Sequence, residues 1–220
     1  MSRKKTASSR AREKNKAPRL EPALEALRAG GVVVFPTETF YGLAADALNE
    51  AAVQRVANLK GRNLDQPIGL IVADGDMLKE VVREVPPRAE RLIHRFWPGP
   101  LTLVLTANEG LPPLLCNAEG GVGVRVSSHP VAAALVRGLG SPITATSANP
   151  SGAQAAKTVE EARRYFTEEI KIFLDGGKLK GERGSTVLDM QHDRFHVIRE
   201  GEISSVELEK VLFGPHGETL

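Results

Sequence analysis

Four polar clusters interrupt the apolar stretches of this 220-residue sequence. In "VVVFPTETFYGLAADA" (32–47) an apolar run meets Pro36 and then Thr37, Glu38 and Thr39, two hydroxyls around a carboxylate. Lys60 and Arg62 flank Gly61. Arg125 stands in "VGVRVS" (122–127), on the strand face opposite Val122, Val124 and Val126. "TSANPSG" (146–152) gathers Ser147, Asn149 and Ser151 in one loop. Cations mixed with small hydroxyl and amide donors suit an anionic, phosphate-bearing ligand, because guanidinium and ammonium groups pair with phosphate or carboxylate. No acid–base dyad or nucleophile triad is spelled out. Catalysis here would rest on positioning and on stabilising charge that builds on phosphate.

Each cluster alone also has a plainer reading. Lys60 and Arg62 sit where cations complement a helix C-terminus, and replacing either is then expected to cost little stability. Arg125 could lie on a solvated face. Ser, Asn, Pro and Gly are turn formers. The usual nucleotide signatures are absent: "DGGKLKG" (175–181) has leucine after Gly-Gly-Lys, and "GGVGVRV" (120–126) lacks the third glycine of a dinucleotide fingerprint. His192 and His196 have metal-like spacing but flank a polar turn entering a strand, where they need not share a face. Cys116, after Leu114 and Leu115, reads as a small buried residue rather than a nucleophile.

The elements that must hold these residues follow from the apolar pattern. The spacing predicts a helix over 22–29 ended by Gly30 and Gly31, a buried strand over 32–35, and a helix over 50–60 capped by Asn49 and stopped by Gly61. Strands are expected at 67–73 and 101–107, short helices at 76–82 and 88–96, and a turn at "WPGP" (97–100). The alternating strand 122–127 leads to a helix over 130–138, and strand 142–146 runs into the serine–asparagine loop. Thr158 with Glu161, and Ser204 with Glu207, read as capping boxes for helices ending near Phe166 and Leu212. Strands at 170–175, 185–190 and 194–200 complete the set. Irregular alternation with late hairpin-like pairs points to one α/β domain on a mixed, twisted sheet.

Bulk properties bound the rest. The chain is 41% hydrophobic and 25% charged, enough apolar content for a core. A single cysteine excludes an internal disulfide framework, and no apolar run reaches the ~18 residues that cross a bilayer. A cytoplasmic protein is expected. Residues 1–19 hold eight Lys or Arg against Glu13, a net +7 that leaves −5 for the rest of a chain whose total is +2. With so little apolar content this tail is expected to be disordered, as a solubilising extension or a nucleic-acid-binding arm, ahead of one domain over 20–220.

The clusters, in this order, resemble the YrdC-like family, the threonylcarbamoyl-AMP synthases. The blocks that carry the resemblance are "PTETFYGL", "KGR", "WPGPLTLVL", "VGVRVSSHP", "TSANPSG", "LDGG", "GSTVLDM" and "VIREG", spread over about 20–201. The chain departs from the common pattern at Asn63 and Ile71, where many members have proline and histidine, and in "GSTV" and "IREG" for "ESTV" and "IRPG".

The resemblance implies an open, twisted mixed parallel/antiparallel sheet flanked by helices around a concave central cleft (YrdC/RibB-like). It implies synthesis of threonylcarbamoyl-adenylate and pyrophosphate from L-threonine, bicarbonate and ATP, a nucleotidyl transfer that feeds tRNA threonylcarbamoyladenosine modification. By motif, Lys60, Arg62, Arg125, Ser147 and Asn149 would be the catalytic group. Thr39, Arg125, Ala145 and Ser185 would hold threonine. Lys60, Arg62, Gln66, Ser147, Asn149 and Arg199 would hold ATP. Mg2+ would come with the ATP phosphates, without a dedicated protein cage. Implied partners are the small substrates, tRNA or double-stranded RNA, and downstream threonylcarbamoyl-transferase proteins, with no membrane. One alternative is a double-stranded RNA or tRNA-binding module without chemistry; the basic tail favours it and the −5 of the body opposes it. Another is a carbamoyl-adenylate step in metalloenzyme maturation, which needs partner domains rich in CxxC pairs.

Overall fold

The computed structural model describes residues 20–61 and 67–214. Helix α1 (Glu21–Arg28) turns its apolar stripe, Ala23, Leu24 and Leu27, inward and leads to strand β1 (Val33–Pro36). Strand β2 (Tyr41–Ala44) returns antiparallel to β1, with Pro36 opposite Tyr41. Helix α2 (Glu50–Lys60) starts where the Asn49 side chain accepts the Ala52 amide and stops at Gly61, whose φ of 58° a glycine adopts without strain. Then come β3 (Leu70–Ile71), α3 (Gly75–Val81), α4 (Pro87–Phe96), β4 (Leu101–Thr106) and β5 (Gly121–Arg125). Helix α5 (Pro130–Leu139), β6 (Ile143–Thr144), β7 (Thr146–Ser147), α6 (Val159–Phe166), β8 (Ile172–Phe173), β9 (Thr186–Asp189), β10 (His196–Arg199) and α7 (Ser205–Phe213) complete the described chain.

The strands form two sheets, β7-β2-β1-β8 and β10-β9-β4-β5-β3-β6, each mixing parallel and antiparallel pairs. The sequence pattern implies a single sheet; the difference arises at residues 143–147. Ile143 and Thr144 pair with β3 in the larger sheet, and two residues later Thr146 and Ser147 pair with β2 in the smaller one. Thr144 ties the sheets together: its Oγ1 donates to Leu43 O at 2.9 Å and accepts the Ala45 amide at 2.9 Å. Ala145, at the crossing, donates its amide to Gly69 O at 2.7 Å.

Register decides which side chains face the site. Leu103 and Leu105 lie opposite Val124 and Val122 and belong to the core. On the other face, Val104 lies opposite Gly123, and Ile71 opposite Arg125. Gly123 leaves that face low: a Cβ there would sit 3.3 Å from Thr102 Cγ2. Gly123 thus lets Thr102 of β4 pack closely on the face that Arg125 shares.

Most expected elements are present with trimmed ends; strand 67–73, for instance, pairs only at Leu70 and Ile71. The pattern predicts no strand at β2. Gly42 and Ala44 are poor strand formers, and tertiary packing overrides that preference: a Cβ at Gly42 would lie 2.9 Å from Phe35 Cε1 and 3.3 Å from Thr146 O.

Candidate active site

The described sequence-predicted residues fall into groups at strand and helix ends. Thr37 and Thr39 are buried in the β1–β2 turn. Thr37 Oγ1 donates to Phe40 O at 2.7 Å, accepts the Thr39 amide at 3.2 Å and lies 3.1 Å from Thr39 Oγ1. This knot of short-range bonds fixes the turn and carries Glu38 toward β5. Gly181 closes over it, since a Cβ there would fall 2.4 Å from Thr39 O.

Arg125 ends β5. It is neither solvated nor isolated, as the strand pattern alone allowed. Its Nε stands 3.4 Å from Glu38 Oε1, with the two side chains 8% and 12% exposed. Glu38 Oε2 accepts a short hydrogen bond from Ser127 Oγ, which itself accepts the His129 amide at 3.2 Å. His129 caps α5: its Nδ1 accepts the Val131 amide at 3.2 Å. Burial lowers the His129 pKa from its ordinary 6.5, with the Glu38 charge opposing, so the ring is held neutral. Sequence reasoning missed the roles of Ser127 and the His129 amide. Both lie in the quoted "VGVRVSSHP" stretch, but only the fold brings them to Glu38.

Lys60 forms a second group. Its ammonium is buried, with the residue 2% exposed, and donates to the carbonyls of Ser147 (2.7 Å) and Asn149 (2.5 Å), with Ser147 Oγ at 3.4 Å. Its own carbonyl accepts the Ser151 amide at 2.9 Å. Lys60 therefore pins the serine–asparagine loop. The expectation that a last-turn cation costs little to replace is overturned, because this one satisfies buried acceptors. Asn149 Nδ2 donates to Pro150 O and Ala153 O, both at 2.8 Å, while its buried Oδ1 has no partner. Arg62 and Gln66 lie outside the described residues.

Ser185 and Arg199 make a third group. Ser185 Oγ lies 2.9 Å from Thr102 Oγ1, and Arg199 Nη2 donates to Ser185 O at 2.9 Å. Arg199 is exposed along much of its surface, and desolvation, followed by the like charge of Arg125, lowers its pKa. The two guanidiniums thus share one electrostatic space, which an anion would relieve. The departure at "GSTV" belongs here, since a Cβ on Gly184 would lie 3.2 Å from Arg199 Nη2.

The remaining candidates are quieter. Cys116 is half-buried rather than fully buried, and burial raises its thiol pKa, which makes it a poor nucleophile. His192 and His196 are exposed, and among the described residues no group of three His, Cys, Asp or Glu could hold a metal. A cavity of about 650 Å³ beside Arg55, Asn58, Leu59, Tyr165 and Phe166 touches the serine–asparagine loop only at Pro150 and holds none of the expected site residues. No described helix is long and apolar enough to cross a membrane.

The chain is 39% identical over 186 residues to a threonylcarbamoyl-AMP synthase of Pyrococcus abyssi, covering 84% of this chain and 55% of that protein. It is 37% identical over 190 residues to a putative threonylcarbamoyl-AMP synthase of Mycobacterium tuberculosis, covering 86% of this chain and 87% of the relative. The P. abyssi Sua5 structure complexed with L-threonine superposes with a TM-score of 0.85 at 37% identity, covering 89% of this chain and 57% of that one. The chain thus spans little more than half of the archaeal protein and most of the mycobacterial one. The Sua5/YciO/YrdC profile, described as "telomere recombination", matches residues 25–201. By sequence and by fold, the chain belongs to the Sua5/YciO/YrdC family.

Proposed function

We propose that the chain is a threonylcarbamoyl-AMP synthase. The observation that carries this reading is the buried Arg125 at the end of β5, whose Nε stands 3.4 Å from Glu38 Oε1 without a hydrogen-bond partner; Arg199 adds a second guanidinium, on Ser185. Such a site is short of negative charge, and a substrate carboxylate with nucleotide phosphates would supply it. The named activity of the P. abyssi and M. tuberculosis relatives supports the same reading.

In this account Arg125 receives the threonine carboxylate. Its Nη1 and Nη2 have no hydrogen-bond partner among the described residues, which leaves a fork for two parallel bonds. Thr39, Ala145 and Ser185 bound the rest of the amino acid. The threonine nitrogen, once its ammonium has released a proton to solvent, bonds to the bicarbonate carbon with loss of water, giving a carbamate. A carbamate oxygen then attacks the α-phosphorus of ATP, and pyrophosphate leaves. Ser147, Asn149 and Arg199 contact the nucleotide, with Arg62 and Gln66 assigned there by motif. Lys60 acts through the loop it pins, and its charge favours phosphate nearby. Glu38 is the one carboxylate among these cations, hydroxyls and amides and it faces Arg125, so the described residues fit Mg2+ only as a companion of the phosphates, where it would neutralise charge. The product would serve transferase proteins that modify tRNA, in the cytoplasm. The test is product analysis: ATP, Mg2+, L-threonine and labelled bicarbonate should yield labelled threonylcarbamoyl-adenylate. Hydrolysis of ATP without an adenylate bearing the label would overturn the assignment.

A further inference from the structure

Glu38 Oε1 and Arg125 Nε are both buried, lie 3.4 Å apart, and each lacks a hydrogen-bond partner. The Glu38–Arg125 contact is therefore one of charge without a hydrogen bond. It leaves an open acceptor and an open donor side by side. Buried polar atoms are ordinarily satisfied, and those left unmet call for an explanation such as a ligand.

The carboxylate is also held deliberately. Ser127 donates to Oε2, the His129 amide fixes Ser127, and the Thr37–Thr39 knot fixes the turn on which Glu38 rides. Oε1 is the atom left over. A zwitterionic α-amino acid carries a donor and an acceptor on one carbon. Its ammonium, placed near Arg125 and Arg199 alone, would be repelled.

We infer that Glu38 Oε1 receives the α-ammonium of the amino-acid substrate while Arg125 receives its carboxylate. Glu38 thereby selects an α-amino acid over an α-hydroxy acid of the same shape. This rests on the threonine site proposed above and adds to it a residue and a basis for specificity.

The test compares L-threonine with its analogue bearing a hydroxyl in place of the α-ammonium, by calorimetry on the full chain. Wild type should bind threonine at least about tenfold more tightly than the analogue, the scale of a charge-assisted hydrogen bond. Glu38→Gln, which keeps shape but removes charge, should lose most of that preference by weakening threonine and not the analogue. Glu38→Asp should retain part of it. If Glu38→Gln weakens both ligands equally, Glu38 merely positions Arg125 and the inference is wrong. Should the variant not fold, the wild-type comparison still decides, because equal binding of the two ligands overturns the inference. No threonine binding by wild type, with ATP binding retained, would instead sink the proposed function and this inference with it.

Discussion

Lys60 and Arg125 are both cations at element ends, yet the structure gives them different work. Lys60 spends its donors on the carbonyls of Ser147 and Asn149. Lys60→Ala should therefore destabilise the fold by about 1–3 kcal/mol, since it strands buried acceptors. Synthesis per folded molecule should fall as well, because the loop loosens. Urea melts alongside activity corrected for folded fraction will separate the two effects; an unchanged melt would contradict the role given to Lys60. Arg125 forms no such backbone bonds and keeps its fork open. Arg125→Lys keeps the charge but not two parallel donors, so threonine affinity should drop at least about tenfold while ATP affinity stays. Equal loss for both ligands would argue that Arg125 is structural. Ile71, where the family pattern leads one to expect histidine, is buried opposite Arg125 in the neighbouring strand. Its side chain offers Arg125 no hydrogen-bond partner, which leaves Glu38 as the paired carboxylate.

At the scale of elements, the site depends on caps and turns that anchor strand ends. Helix α5 is capped by a neutral His129. Its folded pKa is depressed, so the unfolded chain takes up a proton first as pH falls below the ordinary 6.5. Stability should decline as pH falls through the ordinary 6.5, and His129→Asn, which keeps an acceptor but does not titrate, should flatten that slope. An unchanged slope would contradict the cap's role. Tyr41 anchors the Asp175–Gly177 turn: its hydroxyl donates to Gly177 O at 2.8 Å and accepts the Gly176 amide at 2.9 Å, and burial pushes its pKa to about 12. Tyr41→Phe should cost about 0.5–1.5 kcal/mol in a thermal melt, because the buried ring loses two hydrogen bonds to an exposed turn. Helices with caps, such as Glu50–Lys60 after Asn49, were legible in the sequence because a cap is a local event. So were the ends of strands where Thr37–Thr39, Arg125 and Ser147 sit. Strand β2 was not, because Gly42 and Ala44 join a sheet only through Phe35 and Thr146. The Glu38–Ser127–His129 chain was hidden for the same reason: it spans 89 positions between its first two members, and no local pattern records such a contact.

Across the whole molecule, one feature organises the function: the chain crosses from the larger sheet to the smaller within residues 143–147. That crossing brings the serine–asparagine loop to Lys60. The larger sheet independently carries Arg125 and Arg199 at the ends of β5 and β10. The basic residues 1–19 lie outside the described structure and carry none of the motif positions. A chain beginning at Leu20 should keep full synthesis while losing salt-dependent RNA binding. Loss of synthesis in that folded chain would place the tail in the site. The central claim is tested most directly by pyrophosphate release from ATP with Mg2+, with threonine and bicarbonate each omitted in turn. The account predicts release that requires both co-substrates and disappears when either is withheld. Release that is indifferent to threonine, or no release with all three present, would contradict it.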